Sequence, residues 1–150
     1  MKAFKNKIMA IVMVMVALFM NACRQQESHY EHIEPAQVEQ IEGSELSKLA
    51  LTEKAMDRIG IQTAPAAEEM IAHSEPALRL VVPYSALIYD PEARLWVYTN
   101  PEPRTFIRHE VKVDFIVGDK AVLLEGPPAG TEVVTRGAAE LYGTEYNVGH

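Results

Sequence analysis

"VPYSALIYDPEARLWVYTN", residues 82–100, reads as two strands joined by a turn. Residues 84–89 and 94–99 are rich in aromatic and β-branched side chains, which suit a pleated surface. The "DPEA" between them opens on Asp-Pro, a turn signal with a mechanism in the aspartate side chain and the fixed proline φ. Pro83 cannot donate to a ladder, so it belongs at a strand edge or a crossover. The stretch carries no nucleophile–base pair, no cluster of metal ligands and no phosphate-cradling glycines. Arg94, Trp96 and Tyr98 alternate onto one strand face. That face is either a contact patch, since aromatics and arginine anchor interfaces, or a sheet face covered by a helix.

Strand and turn continue on both sides. Residues 70–73 and 77–82 are candidate strands separated by "SEP". After the "NPEPR" turn, residues 106–116 alternate, with Ile107, His109, Val111, Val113 and Phe115 on one face and Arg108, Glu110, Lys112 and Asp114 on the other. "GDK" leads into "AVLLEG", and "PPAGT" into "EVVTRG". Ahead of all this, "LALTEKAMDRIGIQT" marks a short helix at about 53–59. Thr52 is a good N-cap, Glu53 and Arg58 sit at the favourable ends of the dipole, and Gly60 supplies the C′ position. The sequence therefore predicts a mainly β fold: a small antiparallel β-roll or barrel-like domain with one short helix.

The N-terminus lies outside that domain. Lys2, Lys5 and Lys7 precede an unbroken apolar run of 13 residues, Ile8 to Met20. That is shorter than the ~20 residues of a membrane span and fits an export signal over residues 1–22. "MNAC" then places Cys23, the chain's one cysteine, where a bacterial lipoprotein signal is cut and lipidated. Losing the three signal lysines leaves eleven basic against twenty-one acidic residues. Such an acidic surface argues against nucleic acid as a partner and leaves membrane attachment to the lipid. Residues 23–45, with six glutamates and four glutamines after Cys23, bury too little to order themselves and read as a flexible acidic tether. The domain spans 46–146, with a tail at 147–150.

Chemistry is sparse. His29 and His32 stand at i, i+3 with acidic neighbours and would suit a divalent or soft metal, but they lie in the tether. No other cofactor is expected. His109 falls on an apolar strand face and reads as a core histidine. Met56 and Met70, the two methionines beyond the signal, read as core. No hydrolase, kinase, zincin or nucleotide-binding motif is present, so an enzyme is not expected.

Three segments resemble one family. "LTEKAMDRIGIQTAPA" (51–66) looks like the first segment of the membrane-proximal domain in periplasmic adaptor subunits, or membrane fusion proteins, of resistance–nodulation–division (RND) efflux pumps. "VPYSALIYDPEARLWVYTN" is similar to the segment by which such adaptors return to that domain. "GPPAGTEVVTRGAAELYGTEY" (126–146) resembles their closing motif, with Gly126, Gly130, Val133, Val134, Gly137, Ala138 and Leu141 in place and Pro127 where leucine is usual. A complete adaptor inserts a lipoyl-like module, usually a helical hairpin, and a β-barrel between the first and second segments. Here only residues 64–81 stand there, without heptads or room for such modules. Together with the lipid signal at Cys23, the resemblance implies a lipid-anchored, periplasm-facing accessory protein that docks on an efflux pump or a full-length adaptor. The residues alone leave a second reading, a periplasmic metal-binding lipoprotein that uses His29 and His32.

Overall fold

The capped helix is present where the sequence places it. In the computed structural model, which describes residues 34–72 and 76–146, α1 runs Glu53–Ile59. The Ala55 N–H donates to Thr52 Oγ1 at 3.2 Å. Gly60 closes the helix in the left-handed region at φ 71° and donates to the Met56 carbonyl, a conformation that costs glycine little.

Among the described residues ten strands follow in order: β1 Ala36–Gln40, β2 Ser47–Leu51, β3 Gln62–Pro65, β4 Ala67–Ile71, β5 Ala77–Pro83, β6 Ile88–Tyr89, β7 Leu95–Glu102, β8 Thr105–Val117, β9 Lys120–Glu125 and β10 Glu132–Arg136. All pairings are antiparallel, in the order β3-β10-β7-β8-β9-β5-β4. The two ends of that path are consecutive in sequence. Ala66 joins them, buried to 1%, its N–H donating to the Thr131 carbonyl at 2.8 Å and its carbonyl accepting from the Gly130 N–H at 2.7 Å. The sheet thus curls into a half-barrel around Val82, Ala86, Val97, Val111, Ala121, Leu123 and Val133.

A second core lies on the outer face of β2, β7, β8 and β10, where Leu49, Leu51, Tyr98, Phe106 and Val134 meet Ala55 of α1. Its other cover is a helix the sequence reading did not anticipate, α2 Ala138–Glu145. Ala138 and Leu141 of α2 are buried against the sheet. Gly137 enters this helix at φ 90°, and a Cβ there would stand 2.6 Å from Ile61 Cδ1 and 2.7 Å from Ile59 Cγ2.

Three further differences have physical causes. Residues 36–40, expected to belong to the tether, form β1, paired in full register with β2 from Ala36↔Leu51 to Gln40↔Ser47. A ladder needs backbone rather than apolar side chains, and an exposed edge tolerates the glutamines. Residues 84–89 are not one strand. A 3-10 turn occupies Tyr84–Ala86 and leaves Ile88–Tyr89 to pair with β7. Met70, expected in the core, is 66% exposed: it faces the opposite side of β4 from the buried Ile71 and stands across from Leu78, which is exposed too. No helix among the described residues is long and apolar enough to cross a membrane.

Candidate functional site

The face bearing Trp96 and Tyr98 is organised by the turn before it. Asp90 opens the turn, Ala93 adopts φ 62°, and the Ala93 N–H donates to the Asp90 carbonyl at 3.0 Å. The Asp90 side chain is folded inward, 1% exposed. Its Oδ1 accepts the Arg94 backbone N–H at 2.8 Å. Its Oδ2 accepts Arg94 Nε at 2.8 Å and Trp96 Nε1 at 2.9 Å. Burial opposes ionisation of this carboxyl, but the hydrogen bonds from Trp96 and Arg94 outweigh it and hold its pKa below the ordinary 3.8. Arg94 extends outward and donates through Nη1 to Glu45 at 2.8 Å, and that bond is the main reason its pKa is raised.

Behind the indole lies a buried ion pair. Tyr98 stands opposite Arg108 in the β7–β8 register, so the Arg108 side chain can lie diagonally across Trp96. Its guanidinium carbon is 4.4 Å from the Trp96 ring centroid and 5.2 Å from that of Tyr146. Arg108 Nε donates to Glu145 Oε2 at 2.8 Å, with the two side chains 1% and 3% exposed. The Tyr98 hydroxyl donates to the same oxygen at 2.5 Å. Arg108 Nη1 is buried and has no hydrogen-bond partner among the described residues. Burial, then the Glu145 hydrogen bond and charge, push the Tyr98 phenol far above its ordinary pKa. Burial also raises Tyr146.

This arrangement is a clamp. It runs from Glu45 through Arg94, Asp90, Trp96 and Arg108 to Glu145, fastening the end of α2 to the sheet. Trp96 and Tyr98, which the sequence left as either contact residues or a covered sheet face, are 2% and 0% exposed and belong to a covered face. α2 lies over Tyr98, and Arg108 lies over Trp96. Arg94 alone of the three reaches solvent. His109 is half-buried, on the face of β8 opposite Arg108. Among the described residues, no three His, Cys, Asp or Glu side chains are grouped to hold a metal ion. Cys23, His29 and His32 lie outside the described residues.

The sequence reading missed Arg108 and Glu145. Strand alternation assigns Arg108 to a polar face, and no local pattern links it to a glutamate 37 positions on. A faint signal exists: an acidic residue in the last turn of a helix opposes the helix dipole, so Glu145 needs another reason to be there.

No protein-family model matches the chain, and no curated protein matches it. The chain is similar to part of a solved structure, the NMR structure of a 180-residue segment of SilB from Cupriavidus metallidurans CH34 that holds its N-terminal metal-binding site and its membrane-proximal domain. The two are 28% identical, with a TM-score of 0.45, and the match covers 58% of this chain and 48% of that one. The chain thus spans about half of that segment's length.

Proposed function

We propose that this protein is an adaptor-like accessory component of an RND-type efflux system, anchored by lipid at Cys23 and docking on a pump or a full-length adaptor. The role is non-catalytic. The observation that supports this reading is how the three adaptor-like segments meet in the fold. β3 of the first segment pairs with β10 of the third, and β10 pairs with β7 of the second. Between the first two segments, where complete adaptors insert further modules, the chain bends at Ala66 and returns through β4 and β5 to β9. The points of departure are sealed by a hairpin, which suits a docking domain rather than a bridge between membranes.

The test is a mild crosslink and pull-down of the tagged, full-length protein from its native membranes, with partners identified by mass. Recovery of an efflux pump or a full-length adaptor is expected, and Cys23→Ser should move the protein from the membrane to the soluble fraction. If neither partner comes down, the docking role fails. If the serine variant stays on the membrane, the lipid anchor fails.

A further inference from the structure

The half-barrel wall leaves an apolar strip uncovered. Met70 and Leu78 stand directly opposite each other in the β4–β5 register and are 66% and 58% exposed. Alternation puts Leu78 on the same side of β5 as Leu80 and Val82, which face the inner core. The inner apolar surface therefore runs outward along the hairpin into solvent. Beside it, β4 is paired on one side only. Among the described residues it meets β5 and no other strand, so its second edge offers unpaired backbone groups along Ala67–Ile71.

Edge strands are ordinarily blunted by charged side chains, above all lysine, or by a proline or a bulge; β4 carries two glutamates but no lysine, proline or bulge. β4 has the sequence AEEMI, and its register with β5 is unbroken over five pairs. The nearest lysine, Lys120, is engaged with Glu69. The geometry points to β4 as the acceptor of an added strand: an extended segment of a partner protein pairs with its free edge and covers Met70 and Leu78. This deepens the docking role proposed above and rests on it.

Charge decides which occupant fits. Glu68 shares the Met70 side of β4 and enters none of the ion pairs among the described residues. The incoming strand therefore carries lysine or arginine against Glu68 and an aliphatic residue against Met70, since opposite charges across a strand pair stabilise it. A second copy of this chain fits badly. Full self-pairing of β4 is centred on Glu69, sets that glutamate against its own copy, and brings together two chains in which acidic residues outnumber basic ones. Strand addition of this kind draws affinity from main-chain hydrogen bonds and specificity from alternate side chains.

The experiment uses the isotope-labelled full-length chain in detergent micelles. The probe is an end-blocked heptapeptide in which lysine and valine stand two positions apart on one face, with threonine at the intervening positions. The controls are the glutamate–valine counterpart and a lysine–valine peptide of equal charge with proline at its centre, which cannot complete a ladder. The lysine–valine peptide should shift the amides of residues 67–71 and the methyls of Met70 and Leu78 saturably. It should also slow amide exchange at the free edge by roughly ten-fold. Met70→Asp should weaken this binding by about ten-fold with the rest of the spectrum unchanged.

Equal binding of the proline peptide, or shifts spread over the acidic surface without β4, overturns the proposal. Concentration-dependent changes at β4 without peptide, accompanied by a sedimenting dimer, also overturn it and make a second copy the occupant. Pump or adaptor recovery from membranes without strand binding here discards the strip and leaves the docking role standing. Strand binding without such recovery does the reverse.

Discussion

Glu145→Ala isolates the clamp. The substitution removes the carboxylate that accepts from Arg108 Nε and from the Tyr98 hydroxyl. It leaves a buried guanidinium that already has one nitrogen unpartnered among the described residues, and a buried phenol without an acceptor. Breaking a buried ion pair from one side costs about 3–5 kcal/mol. Two smaller effects run the other way. Removing a negative charge from a helix C-terminus gains about 0.3–1 kcal/mol, and alanine is the better helix former. The pair should win, with a net loss of about 2–4.5 kcal/mol. With a urea slope of about 1.5 kcal/mol/M, the unfolding midpoint falls by roughly 1.3–3 M. The assay is urea unfolding followed by the fluorescence of Trp96, the chain's one tryptophan, which stacks on Arg108 and should report the clamp opening. The combination Arg108→Met, Glu145→Leu and Tyr98→Phe removes every stranded polar group and should return to within about 1 kcal/mol of the wild type. A loss below about 1 kcal/mol for Glu145→Ala would refute the argument, because the pair would then not fasten α2.

Three other outcomes are expected. Asp90 has a folded pKa below 3.8, so its stabilisation is present above that pH and is lost as pH falls through the lower folded value; Asp90→Asn should therefore flatten the acid limb of a stability–pH curve, and an unchanged limb would count against the turn network. Gly137→Ala forces a side chain into the left-handed region and against Ile61 and Ile59, for a loss of about 2–4 kcal/mol by chemical denaturation; a neutral result would show that α2 can shift. Thr52→Ala removes the side-chain cap on α1 and should cost about 1 kcal/mol, read as a small midpoint shift with an unchanged urea slope.

Much of this architecture is legible locally. The α1 boundaries follow from Thr52, Arg58 and Gly60, whose effects act within one turn of chain. The strands around 77–83, 95–102 and 105–117 follow from alternation and from turn residues such as those of "DPEA". The readings of an export signal ending at Cys23, of a metal pair at His29 and His32 and of a family resemblance likewise rest on neighbouring residues.

What only the tertiary structure decided is what lies far apart in sequence. Arg108 reads as surface because a strand's pattern records alternation and not what covers each face. Its burial depends on α2, brought over the sheet from 37 positions away. The same helix covers Tyr98 and holds Arg108 over Trp96, which decides between the contact patch and the covered face that the sequence left open. Met70 is the converse case. Its apolar character suggests burial, yet it faces the opposite side of β4 from the buried Ile71 and stands across from the exposed Leu78. β1 forms out of polar residues because its stability comes from backbone pairing with β2, which composition does not register. Sequence fixes local conformation through sterics and capping, over a few residues. Which face of a strand is dry, and which edge is left open, is settled by where distant segments pack.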